Sequence, residues 1–112
     1  MKSILAIPLE NGCLCAHFGH CQQFSILEVE NGTILQEKLI TPPPHEPGLL
    51  PGWLSEQGVT DVIAGGMGQR ALGLFAAQNI RVNVGALSKS PRELAVDWLS
   101  QSLVTGQNAC DH

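Results

Sequence analysis

The sequence predicts an α/β fold, a mixed sheet of about five strands with helices on both faces, and three observations carry that expectation. Apolar runs too short for helices recur at residues 4–7, 61–64 and 80–84, as strands covered on both faces require. Stretches with helical stripes and helix punctuation stand between and after them. An Asn-Gly pair at 31–32 joins two further strand-like runs, the strongest short-range signal of a hairpin.

Taken in order, residues 4–7 form a first strand that Pro8 is expected to end, and a loop rich in Cys and His follows from Cys13 to Cys21. Residues 24–29 and 33–40 form the hairpin around Asn31-Gly32. The segment 41–48 holds four prolines, which remove donors and fix φ, so a stiff loop with His45 in its middle is expected. A short helix should start near Pro51, pass through Trp53 and Leu54, and stop at Gly58. The strand at 61–64 ends in Gly65-Gly66-Met67-Gly68, and the helix after it turns Ala71, Leu72, Phe75 and Ala76 to the core. With the strand at 80–84 this closes a right-handed parallel β-α-β unit. Ser90-Pro91-Arg92-Glu93 is a capping box, and Leu94, Ala95, Trp98, Leu99 and Leu103 form one stripe behind it until Gly106. The expected sheet is mostly parallel, with one antiparallel strand from the hairpin.

With 112 residues the chain has room for one domain, taken as 1–106, followed by a polar tail at 107–112 that carries Cys110 and His112. The net charge of −4 is mild and scattered, which argues against nucleic acid. No apolar run approaches the ~20 residues of a membrane span, and Met1-Lys2-Ser3 leads straight into a strand, so a cytoplasmic protein with reduced thiols is expected.

Three of the four cysteines and two of the four histidines fall within residues 13–21. Thiolate and imidazole are soft and borderline metal ligands, so Cys13, Cys15, His17, His20 and Cys21 are the first candidates, with Cys110 and His112 as an arm able to complete a site. The spacing of Cys13 and Cys15 turns both thiols to one side of an extended segment. Ligands of such sheets bind beyond the C-terminal ends of the parallel strands, which gathers the cysteine loop, the turn Gly65, Gly66, Met67, Gly68 and residues 85–87 around one cleft. The glycine turn opens a helix, where free N–H groups and the dipole attract an anion. Read as Gly66-x-Gly68-x-x-Ala71 it imitates a dinucleotide fingerprint, yet no acidic residue closes the next strand to hold a ribose. Paired carboxylates for two-metal hydrolysis, a nucleophile elbow and a C-x-x-C redox pair are all missing from the sequence.

His17-Phe18-Gly19-His20-Cys21-x-x-Phe24, the segment Pro42-Pro43-Pro44-His45-Glu46-Pro47-Gly48 and Ile63-Ala64-Gly65-Gly66-Met67-Gly68-Gln69-Arg70-Ala71 stand together in this order. In that combination the chain resembles the dinitrogenase iron–molybdenum cofactor biosynthesis family, over nearly its whole length. The resemblance implies a ribonuclease H-like three-layer sandwich without nuclease activity. It also implies a non-enzymatic carrier of an anionic metal–sulfur cluster of iron, molybdenum or copper, held partly without covalent ligands. His17, Phe18, Gly19, His45 and the turn 65–68 match the family's positions, whereas Cys13 and Cys15 fall outside its common pattern. A cofactor-assembly ATPase or an acceptor protein is the partner such a carrier implies. The alternative is a zinc or copper site for storage or regulation, built from Cys13, Cys15, Cys21, Cys110 and His112.

Overall fold

The computed structural model describes residues 2–15, 21–43, 49–86 and 89–100. Its elements follow in the order β1 (Lys2–Glu10), β2 (Cys13–Leu14), β3 (Gln23–Glu30), β4 (Thr33–Ile40), α1 (Leu49–Glu56), β5 (Asp61–Ile63), α2 (Gln69–Ala77), β6 (Arg81–Asn83) and α3 (Pro91–Leu99). The strands make one six-stranded mixed sheet in the order β4-β3-β1-β5-β6, with β2 added beside β1. β1 pairs antiparallel with β3 and parallel with β5, and β5 pairs parallel with β6. Because β4 is antiparallel to β3, four strands share one direction, and both β3 and the added β2 oppose them, so the sheet has six strands and two antiparallel ones where about five and one are expected.

β1 is central because it can be buried on both faces. Ala6 faces one core with Phe24, Ile26, Val62 and Ala64, covered by Leu54 of α1 and Phe75 of α2. Leu5 and Ile7 face the other with Leu27, Val29 and Ile63, covered by Leu94 and Ala95 of α3. Phe24 and Trp53 meet with ring centroids 5.9 Å apart at a tilt of 55°, a favourable offset arrangement.

Several boundaries differ from expectation, each for a local reason. Pro8 does not end the first strand: β1 continues to Glu10, with Pro8 opposite Phe24 and its carbonyl accepting the Cys15 N–H at 2.9 Å. The missing Pro8 N–H instead shortens the other partner. Pro8 cannot donate back to Cys15, so the β2 ladder stops at Leu14. α1 starts at Leu49, with Pro51 inside the first turn. In α2 Phe75 is buried and Ala71 and Leu72, partly buried, pack on the core cluster it belongs to, but Ala76 is exposed and leaves the expected core face. β6 is limited to Arg81–Asn83, narrower than 80–84. The hairpin turn is met as Asn31 and Gly32, both with positive φ (52° and 78°), the geometry of a type I′ turn. The capping box at Ser90 and Glu93 is present in full. Leu103 and the tail lie outside the described residues. No helix among those described is long and apolar enough to cross a membrane.

Candidate functional site

A second Asn-Gly turn starts the candidate site. Asn11 (φ 54°) and Gly12 (φ 83°) fold β2 back on β1, with Leu9 opposite Leu14 and Glu10 opposite Cys13. The dipeptide is the same signal as at 31–32; the two-residue strand after it was too short to register as a run.

The hairpin fixes the start of the cysteine loop and β3 fixes its end. Cys15 N–H donates to Pro8 O at 2.9 Å, and Gln22 N–H donates to Leu9 O at 2.8 Å. Consecutive carbonyls of a strand point to opposite sides, so the two ends of the loop are pinned on opposite sides of β1. The neighbouring loops join the same rim. Leu14 N–H donates to Lys89 O at 3.0 Å, Gly85 N–H to Gly65 O at 2.9 Å, and Ala86 N–H to Ala64 O at 3.2 Å. The cysteine hairpin, the glycine turn and residues 85–86 therefore stand along one end of the sheet, beyond the C-terminal ends of β1, β5 and β6.

The cysteines do not share one environment. Cys13, at the hairpin tip, is exposed, whereas Cys15, two residues further in beside Pro8, is buried. The two thiols of the Cys-x-Cys spacing therefore differ in exposure. Cys21 is half-buried against the core that holds Met67. Burial pushes the Cys21 thiol up to about 11, and the neighbouring Cys15 adds to the rise. Among the described residues no three His, Cys, Asp or Glu side chains come together as a metal group. His17, Phe18, Gly19, His20, His45, Cys110 and His112 lie outside the described residues.

The glycine turn has the features of an open anion site. Gly65, Gly66 and Met67 are buried and Gly68 is exposed. Gly68 is the N-cap of α2, with φ −66° and no side-chain cap, so the helix start is not closed by its own sequence. A Cβ at Gly68 would meet nothing within 4 Å, so there is room for a side chain at the N-cap.

Arg70 stands in the first turn of α2. Four of the six basic residues are paired: Lys2 with Glu28, Arg81 with Asp61, Lys89 with Asp97, and Arg92 with Glu37. Arg70 has no carboxylate partner among the described residues, is exposed, and stands where the helix dipole opposes a cation. The signal that could have found it is a basic first turn with no acidic residue in it.

Comparison with known proteins bears on this rim. A family model described as dinitrogenase iron-molybdenum cofactor matches residues 1–101. Protein MJ0580 of Methanocaldococcus jannaschii is 32% identical over 83 residues, 70% of each chain. Among solved structures, PH0822 superposes with a TM-score of 0.85 at 24% identity, covering 94% of both chains. The apo orange protein of Desulfovibrio gigas gives 0.77 at 16% identity, over 95% of this chain and 94% of that one. At those identities the structures speak to the fold alone.

Proposed function

The chain belongs to the dinitrogenase iron–molybdenum cofactor family, and from that premise we propose that it is a small carrier that holds an anionic metal–sulfur cofactor without transforming it. The observation that carries the reading is the start of α2 at Gly68, without a side-chain cap, on the same rim as the cysteine hairpin and next to Arg70, which has no carboxylate partner among the described residues. The residues fit such a cargo. Sulfide edges of a cluster carry negative charge, and first-turn N–H groups with a guanidinium stabilise anions by charge-assisted hydrogen bonds. Cys21, protonated at neutral pH, is a soft neighbour that adds no negative charge. His17, Phe18, Gly19, His20 and His45 complete the proposed cradle from the loops whose ends border this rim. On this reading the sheet is of the ribonuclease H-like type, used here as a holder.

Purification without oxygen, followed by metal and sulfide analysis and visible absorption, tests the proposal. Coloured protein carrying molybdenum, iron or copper with sulfide is expected, or uptake of thiomolybdate or an iron–sulfur cluster by the colourless form. Protein that stays colourless and rejects both cargoes overturns it.

A further inference from the structure

Away from the rim, the sheet ends at β4, an eight-residue strand whose outer edge pairs with no other strand among the described residues. Such an edge presents a row of backbone donors and acceptors to any strand that comes alongside it. Its side chains add to this. Leu35 is 54% exposed and Leu39 58%, two of the three large apolar side chains left exposed among the described residues. Leu35 is also the extra residue of a bulge: Gln36 stands opposite Glu28 and Ile34 opposite Val29, so β3 offers Leu35 no counterpart. Ile34 and Ile40 pack on the two cores of their own chain, which leaves Leu35 and Leu39 as the apolar pair of β4 that a partner would meet. The order of residues names the occupant. Ile34-Leu35-Gln36-Glu37-Lys38-Leu39-Ile40 has the same polarity read in either direction, two apolar residues on each side of three polar or charged ones. Two antiparallel copies of one strand are related by a two-fold axis perpendicular to the sheet. Centred on Glu37, that axis sets Leu35 opposite the partner's Leu39 twice, and Gln36 opposite the partner's Lys38 twice. Glu37 alone meets its own kind, and its carboxylate is already compensated within each copy, by Arg92 at 3.5 Å and by the Ser25 hydroxyl, which donates to it at 3.4 Å.

We propose that a second copy of this chain pairs antiparallel along β4, joining two six-stranded sheets into one. A two-fold pairing occupies both β4 edges and stops at two copies. A single strand edge buries less surface than the interface of an obligate dimer, so the pair forms and separates with concentration. The inference is independent of the cofactor reading, because the rim is built on β1, β5 and β6, and β3 stands between it and β4.

Sedimentation equilibrium and methyl-labelled NMR of the full chain, with its thiols kept reduced, test it. A reversible equilibrium between one copy and two is expected. Leu35 and Leu39 lie about 13 Å apart along one strand, too far for a methyl cross-peak, whereas opposed residues of paired strands have Cβ atoms about 5 Å apart. A Leu35–Leu39 cross-peak should therefore appear and fade on dilution together with the dimer. Leu39→Lys, at an exposed position, should leave the melting temperature unchanged at dilutions where both proteins are single copies. Acting twice across the two-fold, it should raise the dimer Kd about tenfold or more. The proposal is overturned by a chain that stays monomeric at NMR concentration. It is equally overturned by a dimer that lacks the cross-peak or is untouched by Leu39→Lys, which would place the contact elsewhere, and by association that continues past two copies, which would make β4 an open-ended aggregation edge.

Discussion

Gly68 and Arg70 divide the candidate site into space and charge. Gly68 has an ordinary φ and no neighbour within 4 Å of an added Cβ, so folding does not require glycine there. Gly68→Asp should therefore keep the melting temperature or raise it slightly, because Asp and Gly at an N-cap differ by only a few tenths of a kcal/mol. It should also abolish uptake of thiomolybdate, since the carboxylate occupies the anion's place. Equal uptake by wild type and variant in absorption titrations would remove the glycine turn from the site. Cys21 offers a pH test. Its folded value of about 11 lies above the ordinary thiol value of 9.0, because burial disfavours the thiolate. The folded state therefore holds a proton that the unfolded state releases between these values, and stability falls as pH rises from 9 through 11. Denaturant midpoints followed across that range should decline less in Cys21→Ser than in the wild type.

At the scale of elements, the paired Asn-Gly turns explain what the sequence makes legible. Asn31-Gly32 is visible because long alternating runs flank it. Asn11-Gly12 carries the same chemistry, yet the strand after it is cut to two residues by the donor that Pro8 lacks. α3 is legible to the residue at its start, since Ser90 and Glu93 satisfy each other's backbone groups locally. The rim of the site is legible as a position, the C-terminal ends of parallel strands, but not as an environment. The depth of Cys15 and the exposure of Cys13 depend on a hairpin register that no spacing rule encodes. Two measurements follow. Ser90→Ala should cost about 1 kcal/mol, a drop of roughly 4 °C in Tm. Gly12→Ala, which forces a positive φ of 83° on a residue with a Cβ, should cost about 1 kcal/mol. By loosening β2 it should also raise the alkylation rate of Cys15 while leaving that of the exposed Cys13 unchanged.

Across the whole molecule, the two ends of the parallel strands divide the work. At the end opposite the rim, Asp61 is buried with 2% exposure and is held by Arg81 through Nε at 2.8 Å and Nη2 at 3.3 Å. The Thr60 hydroxyl donates to the same carboxylate at 2.8 Å and accepts the Ile4 N–H at 3.0 Å, so one cluster ties β1, β5 and β6. Its role is structural: Arg81→Met strips a buried carboxylate of its strongest donors and should cost about 2 kcal/mol, lowering the urea midpoint. The rim is held by other bonds, between Gly85 and Gly65 and between Leu14 and Lys89. Below its own melting transition, Arg81→Met should therefore take up thiomolybdate with unchanged stoichiometry and affinity. Arg70→Ala should behave in the opposite way, with an unchanged urea midpoint, weaker uptake, and a flatter dependence of uptake on salt. Finding both properties lowered in both variants would mean that the rim and the base of the sheet are one cooperative unit, and that the candidate site is no more separable from the fold than its core is.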